Sequence, residues 1–232
     1  MSRASMAAAL PGPVSPLFGI GLYTDGREQV PFEIGWAEFG RDVRWAHRVL
    51  DTWGIGEADH VLISTPNFEG PWASPLVRAL RDRRTVHSNS EPYSWDVGRS
   101  ATFLRLLRFK AFIAMSGETA AGLLRQPECA EALAALEPIW ARPEALGPLR
   151  AAGLEPAVFA MLGPALALEC PRRAGAHVDP GEWQLSPGPD GVTLTTVGDR
   201  RHVVRELLVA PAGRLEQAPC PCGLPGPRVT PA

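Results

Sequence analysis

The sequence predicts an α/β fold: a mostly parallel sheet flanked by helices, followed by a smaller β-rich C-terminal portion. Three observations carry this. Between Asp59 and Glu144, short apolar runs alternate with amphipathic stretches in strand–loop–helix–strand order, the repeat of a parallel sheet with covering helices. Residues 36–53 place Trp36, Phe39, Val43, Ala46, Val49, Leu50 and Trp53 at spacings of three and four, one face of a helix. Beyond residue 168 the chain turns Gly/Pro-rich and strand-like, and carries Cys170, His177, Cys220 and Cys222.

The 232 residues suffice for one substantial domain, or one with a small appendage. The expected division is a disordered lead-in over 1–13, an α/β core over 14–168 and a β-rich portion over 169–232. A hydrophobic content of 45% marks a globular chain. The net charge of −2 gives no argument for nucleic acid or an anionic membrane. No run approaches the ~18 apolar residues of a spanning helix. The N-terminal apolar stretch is short and is broken by Pro11 and Pro13, so the expected compartment is the cytoplasm.

Taken in order, Gly19 and Gly21 followed by Thr24-Asp25-Gly26-Arg27 predict a turn between two short strands. Helix 36–53 stops at Gly54-Ile-Gly56. Asp59–Ser64 reads as a buried strand, Pro66–Trp72 as a loop, Leu76–Arg84 as a helix and Thr85–Ser88 as a strand. Helix 96–109, strand 110–116 and helix 117–124 follow, then helix 128–136 with the lone Cys129 as a small buried thiol. Residues 137–144 form a strand and turn, and 145–152 a helix. Gly198-Asp199-Arg200 reads as a turn.

Three thiolates and one imidazole complete a tetrahedral shell for zinc, closed to water and hence structural. Metal binding of this kind is coupled to folding of the loop-rich segment that holds it. Cys220-Pro-Cys222 is tighter than the usual knuckle, so spacing alone leaves open zinc, a disulfide or unlinked buried thiols. A disulfide fits a secreted chain, which this does not resemble.

The same stretch resembles the phenylacetate–CoA ligases of the adenylate-forming, AMP-binding superfamily of acyl-CoA synthetases. The match runs through Leu162–Cys170, Gly175-Ala-His177, Leu194-Thr-Thr196, Cys220-Pro-Cys-Gly223 and Pro227-Arg228-Val229. It implies the N-terminal-domain-like core of such enzymes and a structural zinc on Cys170, His177, Cys220 and Cys222. It covers residues 14–230, more closely in the C-terminal half.

The resemblance also implies where nucleotide chemistry would sit. Thr24, Gly26 and Arg27 align with the end of the family's phosphate loop, whose amides and hydroxyls cradle ATP. Here the run of hydroxyls is missing and Arg27 stands in place of lysine, so an ordinary hairpin turn is the preferred reading. Ala141-Arg-Pro-Glu144 aligns with an adenine-binding turn, Glu144 standing one place later than the family acid. Met115-Ser116-Gly117 aligns with a turn over the acyl pocket. Pro156–Ala160 occupies the place of the family's aromatic, glycine, hydroxyl and magnesium carboxylate, and keeps neither hydroxyl nor carboxylate. Ala210 stands where an aspartate bonds the ribose. The chain ends at Ala232, before the family's hinge and mobile domain, and Lys110 cannot replace that domain's lysine.

The sequence thus predicts a truncated ligase-like protein unable to adenylate alone, for which ATP and Mg²⁺ are doubtful ligands. It would act as a binding or partner subunit. The implied partners are a small carboxylic acid and a protein docking where the C-terminal domain would sit. Two alternatives stand beside this: an acyl-activating ligase completed by another chain, and a zinc-stabilised structural module.

Overall fold

The centre of the protein is a five-residue strand with every side chain buried, Ala111–Met115 (β5), as a parallel strand covered on both faces requires. The computed structural model describes residues 16–231. The expected lead-in over 1–13 lies outside them. Around β5 run His60–Ser64 (β3), Val86–Ser90 (β4), Ile139–Ala141 (β6) and Ala157–Leu162 (β7). They pair in parallel in the order β4-β3-β5-β6-β7.

The sheet then changes character without ending. Leu162–Ala165 closes a tight turn into Ala165–Glu169 (β8), which pairs antiparallel with β7. Gly163 there has φ +58, and a Cβ on it would meet Leu207 at 2.6 Å, so the turn needs glycine twice over. Ala176–His177 (β9), Arg228–Thr230 (β14) and Arg214–Glu216 (β13) extend the same sheet to nine strands, all antiparallel beyond β7. Trp183–Gly188 (β10), Gly191–Thr196 (β11) and Leu207–Pro211 (β12) form a separate antiparallel sheet. The C-terminal residues are therefore β-rich as expected, and they serve two sheets.

Leu17–Asp25 (β1) and Glu28–Gly35 (β2) make an antiparallel hairpin closed by Gly26 and Arg27, with Gly26 at φ +57. Trp36–Thr52 (α1) follows at once. Its predicted stripe is buried except Trp36, which is 56% exposed and leans on Phe18 and Phe39. Gly70–Asp82 (α2) begins six residues before the expected Leu76. Pro71 fits the first turn, and the buried stripe of Trp72, Leu76, Ala79 and Leu80 outweighs the amide missing at Pro75. Val97–Leu106 (α3), Gly117–Leu124 (α4), Pro127–Ala134 (α5) and Pro143–Ala151 (α6) complete the helices described here. Cys129 is fully buried. Among the described residues no helix is long and apolar enough to cross a membrane.

A buried charge cluster fastens the three-stranded sheet to α1. Arg200 grips Asp42 through two bonds of 2.8 and 2.9 Å and reaches Glu182 at 3.0 Å and Glu38 at 3.8 Å. Its guanidinium also lies 4.5 Å over Trp183. Arg41 adds bonds of 2.6 and 3.2 Å to Glu182.

Candidate metal centre and strand-end clefts

Three neighbouring strands converge on the four predicted ligands. Cys170 follows β8, His177 ends β9, and Cys220 and Cys222 lie in the loop between β13 and β14. Pairing sets His177 between Leu168 of β8 and Arg228 of β14. Two buried charged residues, unassigned by sequence reasoning, hold the connecting loops. The Glu169 carboxylate accepts the amides of Val158 at 2.9 Å and Gly175 at 2.8 Å. Its carbonyl takes the indole N–H of both Trp53 and Trp140 at 2.9 Å. Arg228 donates to the carbonyls of Ala174 at 2.9 Å and Ala218 at 2.8 Å, tying the two ligand loops together. Both residues stand inside the matched motifs; a charge flanking a ligand in an apolar strand was the available signal.

The ligand atoms all lie within 4.8 Å of one another. Cys170 Sγ and Cys220 Sγ are 3.7 Å apart, and Cys222 Sγ and His177 Nε2 are 3.6 Å apart. Metal–ligand bonds of about 2.3 Å to sulfur and about 2.05 Å to nitrogen, at tetrahedral angles, give separations of about 3.8 and about 3.6 Å. The observed pairs therefore match two edges of a zinc tetrahedron. All four cysteines of the chain are free thiols. The Leu224 amide donates to Cys222 Sγ at 3.4 Å, a bond that suits a thiolate.

Electrostatics favour Cys220 and His177 as ligands and oppose the thiolate of Cys170. Burial pushes the Cys170 thiol up to about 12. Burial also opposes ionisation of Cys220, but the Cys222 amide, the neighbouring thiols and Arg228 together bring it below the ordinary thiol value. Burial, aided by the Arg228 cation, drives His177 down to about 4 despite the Pro225 carbonyl. His177 is thus a neutral imidazole, as a ligand must be. A site of buried soft donors fits zinc's preferences.

A second locus is a cleft of about 320 Å³ at the end of β7, lined by Phe159, Ala160, Met161, Val209, Ala210 and Glu144 among others. The structure brings together Glu144, Ala160 and Ala210, three positions that the alignment assigned to one nucleotide site. Glu144, in the first turn of α6, is the sole carboxylate of the lining. Thr24, Gly26 and Arg27 are elsewhere, on the exposed tip of the β1–β2 hairpin and outside that lining. Thr24 Oγ1 accepts from Gln29 Nε2 at 2.6 Å, across the hairpin.

The third locus is the carboxyl end of the parallel strands. Sheet order reverses between β4-β3 and β5, and open α/β sheets bind ligands outside such a switch point. Here the half-buried Arg142 and the buried Glu69 meet in a two-pronged pair at 2.7 and 2.6 Å. Arg142 also donates to the Ala114 carbonyl at 3.2 Å. Ser116, the expected pocket turn, caps α4: its oxygen accepts the Thr119 amide at 3.1 Å and its hydroxyl turns to Pro92. Sequence periodicity gave no hint of the Arg142–Glu69 pair, because its partners lie in different connections.

No family model matches this sequence, and no curated protein matches it. Solved structures do. A 2-hydroxyisobutyryl-CoA ligase in its postadenylation state superposes at TM-score 0.69 with 15% identity, covering 97% of this chain and 54% of the ligase. A malonyl-CoA ligase gives TM-score 0.52 at 15% identity over 82% of this chain and 44% of its own. O-succinylbenzoate coenzyme A synthetase from Bacillus subtilis gives 0.52 at 14% identity over 82% and 44%. The chain thus spans about half the length of the ligases it matches. At such identities the likeness concerns architecture, and that architecture is the fold of the acyl-CoA ligases of the adenylate-forming superfamily.

Proposed function

We propose that this chain is a zinc-stapled, ligase-like binding subunit that does not adenylate by itself. The observation that carries the reading is the Glu144 cleft. It stands where the alignment places nucleotide and magnesium, yet Ala160 and Ala210 leave it one carboxylate and no side-chain hydroxyl in its lining. Acyl-adenylate formation develops charge on phosphoryl oxygens that is stabilised by Mg²⁺ and by fixed donors. Here Glu144 alone could hold a cation, and methyl groups face the space where ribose and magnesium would be bound. The strand-end crevice supports the reading, since Arg142 and Glu69 satisfy each other there and offer no unpaired charge to an acid.

Zinc on Cys170, His177, Cys220 and Cys222 would have four protein ligands and no position for water, so its role is to hold strands together. Binding of a protein partner belongs to this reading as well. Calorimetric titration with Mg·ATP, after elemental analysis for zinc, tests it. Zinc near one per chain with no ATP binding is the expected result. Saturable ATP binding, with pyrophosphate release on addition of carboxylic acids, would overturn it in favour of an acyl-activating ligase completed by another chain.

A further inference from the structure

A cleft of about 460 Å³ opens outside the carboxyl ends of β3 and β4, away from both the metal ligands and Glu144. Its walls carry Arg78 and Arg81 from α2 and Arg99 from α3. Thr65, Asn67, Ser74 and Asn89 add neutral polar groups, and Phe18, Trp36 and Phe39 form an aromatic side. Glu91 is the one carboxylate of the lining. Two of the arginines are partly compensated: Arg78 bonds Asp82 at 2.7 Å and Arg99 meets Asp96 at 3.1 Å. Arg81 is different. Its Nε donates to His87 Nε2 at 3.3 Å, and among the described residues it has no carboxylate partner. His87 is held neutral by burial and by Arg81 itself.

The cleft does not end there. Phe18, Asn67 and Gly70 also line an adjoining groove of about 710 Å³ whose other walls include Ile20, Leu22, Phe68 and Pro71. Phe68 is 68% exposed and Ile20 44%, and both are large apolar side chains. The two spaces share this wall and make a concavity with a cationic end and an apolar end, each part in the size range of small-molecule sites. Guanidinium forks match tetrahedral oxyanions, and the N–H groups that Arg81, Arg78 and Arg99 leave free, with several neutral donors, exceed what the two oxygens of a carboxylate can accept.

We infer that this concavity binds a phosphate monoester with an apolar body, its head at Arg81, Arg78 and Arg99 and its body along Phe18, Ile20 and Phe68. The inference is independent of the metal and of the Glu144 cleft. The test is calorimetric titration of the full chain with octyl phosphate, hexyl phosphate, octanoate, inorganic phosphate and octanol. Octyl phosphate is expected to bind tightest, hexyl phosphate more weakly and octanol not at all. Arg81→Gln, a change at an exposed side chain, is expected to weaken octyl phosphate by about tenfold or more, as loss of a charged hydrogen bond predicts. Phe68→Ser should weaken the octyl ester and leave inorganic phosphate unchanged. Arg81→Lys, which keeps the charge and loses the fork, should fall between. Co-sedimentation with phosphatidic-acid vesicles separates a lipid source of the ester from a soluble one. Equal affinity of wild type and Arg81→Gln, octanoate binding as tightly as octyl phosphate, or no saturable binding would each overturn the inference.

Discussion

Replacing Arg200 with Met tests how the second sheet is attached. The guanidinium is 4% exposed and makes four contacts with three acids: two with Asp42, one with Glu182 and one with Glu38. Met fills much of the same volume, so packing loss is small. What changes is charge: Glu182 keeps Arg41 and Glu38 keeps the amides of Gly35 and Arg201, whereas Asp42 loses its salt-bridge partner among the described residues. Removing one member of a buried ion pair is destabilising by about 3–5 kcal/mol, and loss of the stack on Trp183 adds about 1. The expected total is about 4–6 kcal/mol, a large share of the 5–15 typical of a domain. With a urea m-value of about 2–3 kcal/mol/M, the midpoint should fall by roughly 2 M at constant m. Adding Asp42→Asn and Glu182→Gln to Arg200→Met should recover part of the loss, since the like charges go as well. A drop below about 1 kcal/mol, or no recovery in the triple variant, would refute the view that this cluster is buried and charge-critical.

Three further outcomes follow from the geometry. Cys222→Ser should lower zinc content well below one per chain after dialysis and reduce thermal stability, because folding and metal binding are coupled; retained stoichiometric zinc would contradict the four-ligand site. In metal-free protein His177 is depressed from 6.5 to about 4, so its contribution is complete above pH 6.5 and is lost as pH falls towards about 4. The loss is about 2.5 kcal/mol by urea unfolding at pH 7.5 and 4.5, and His177→Asn should flatten it. Glu69→Gln leaves Arg142 charged and half-paired, and should destabilise by about 3 kcal/mol in the same assay.

The alternating core was legible because each of its elements satisfies a local rule. Helix 36–53 and the strands ending at Ser64 and Met115 follow from periodicity and apolar runs, and the structure places them within a residue or two. The early start of α2 was not, since two prolines argue locally against a helix that Trp72 and Leu76 secure by long-range packing. The four Cys/His positions could be read from chemistry and motif order. Arg200, Arg142 and Arg228 could not. A buried or half-buried arginine looks like a surface one until its partners, here Asp42, Glu69 and the Ala174 carbonyl, are brought in from far along the chain. The Gly198–Arg200 turn was expected for its shape, and its last residue proves to be the cation of the buried cluster.

The junction of sheet and metal knuckle has a consequence for how the protein would fail. Beyond β8 the sheet continues only through β9, of two residues, and β13 and β14, of three each. Ladders so short depend on the ligands that bracket them. In the proposed zinc-bound state they cover β8, whose Ala-Leu-Ala-Leu run is buried on nearly every residue. Metal stripped by a chelator or by thiol oxidation would release that cover and leave an apolar strand with open amides and carbonyls along one side. Such an edge recruits strands from other molecules. Zinc starvation would then show itself first as turbidity that rises with protein concentration, before the parallel half of the sheet melts.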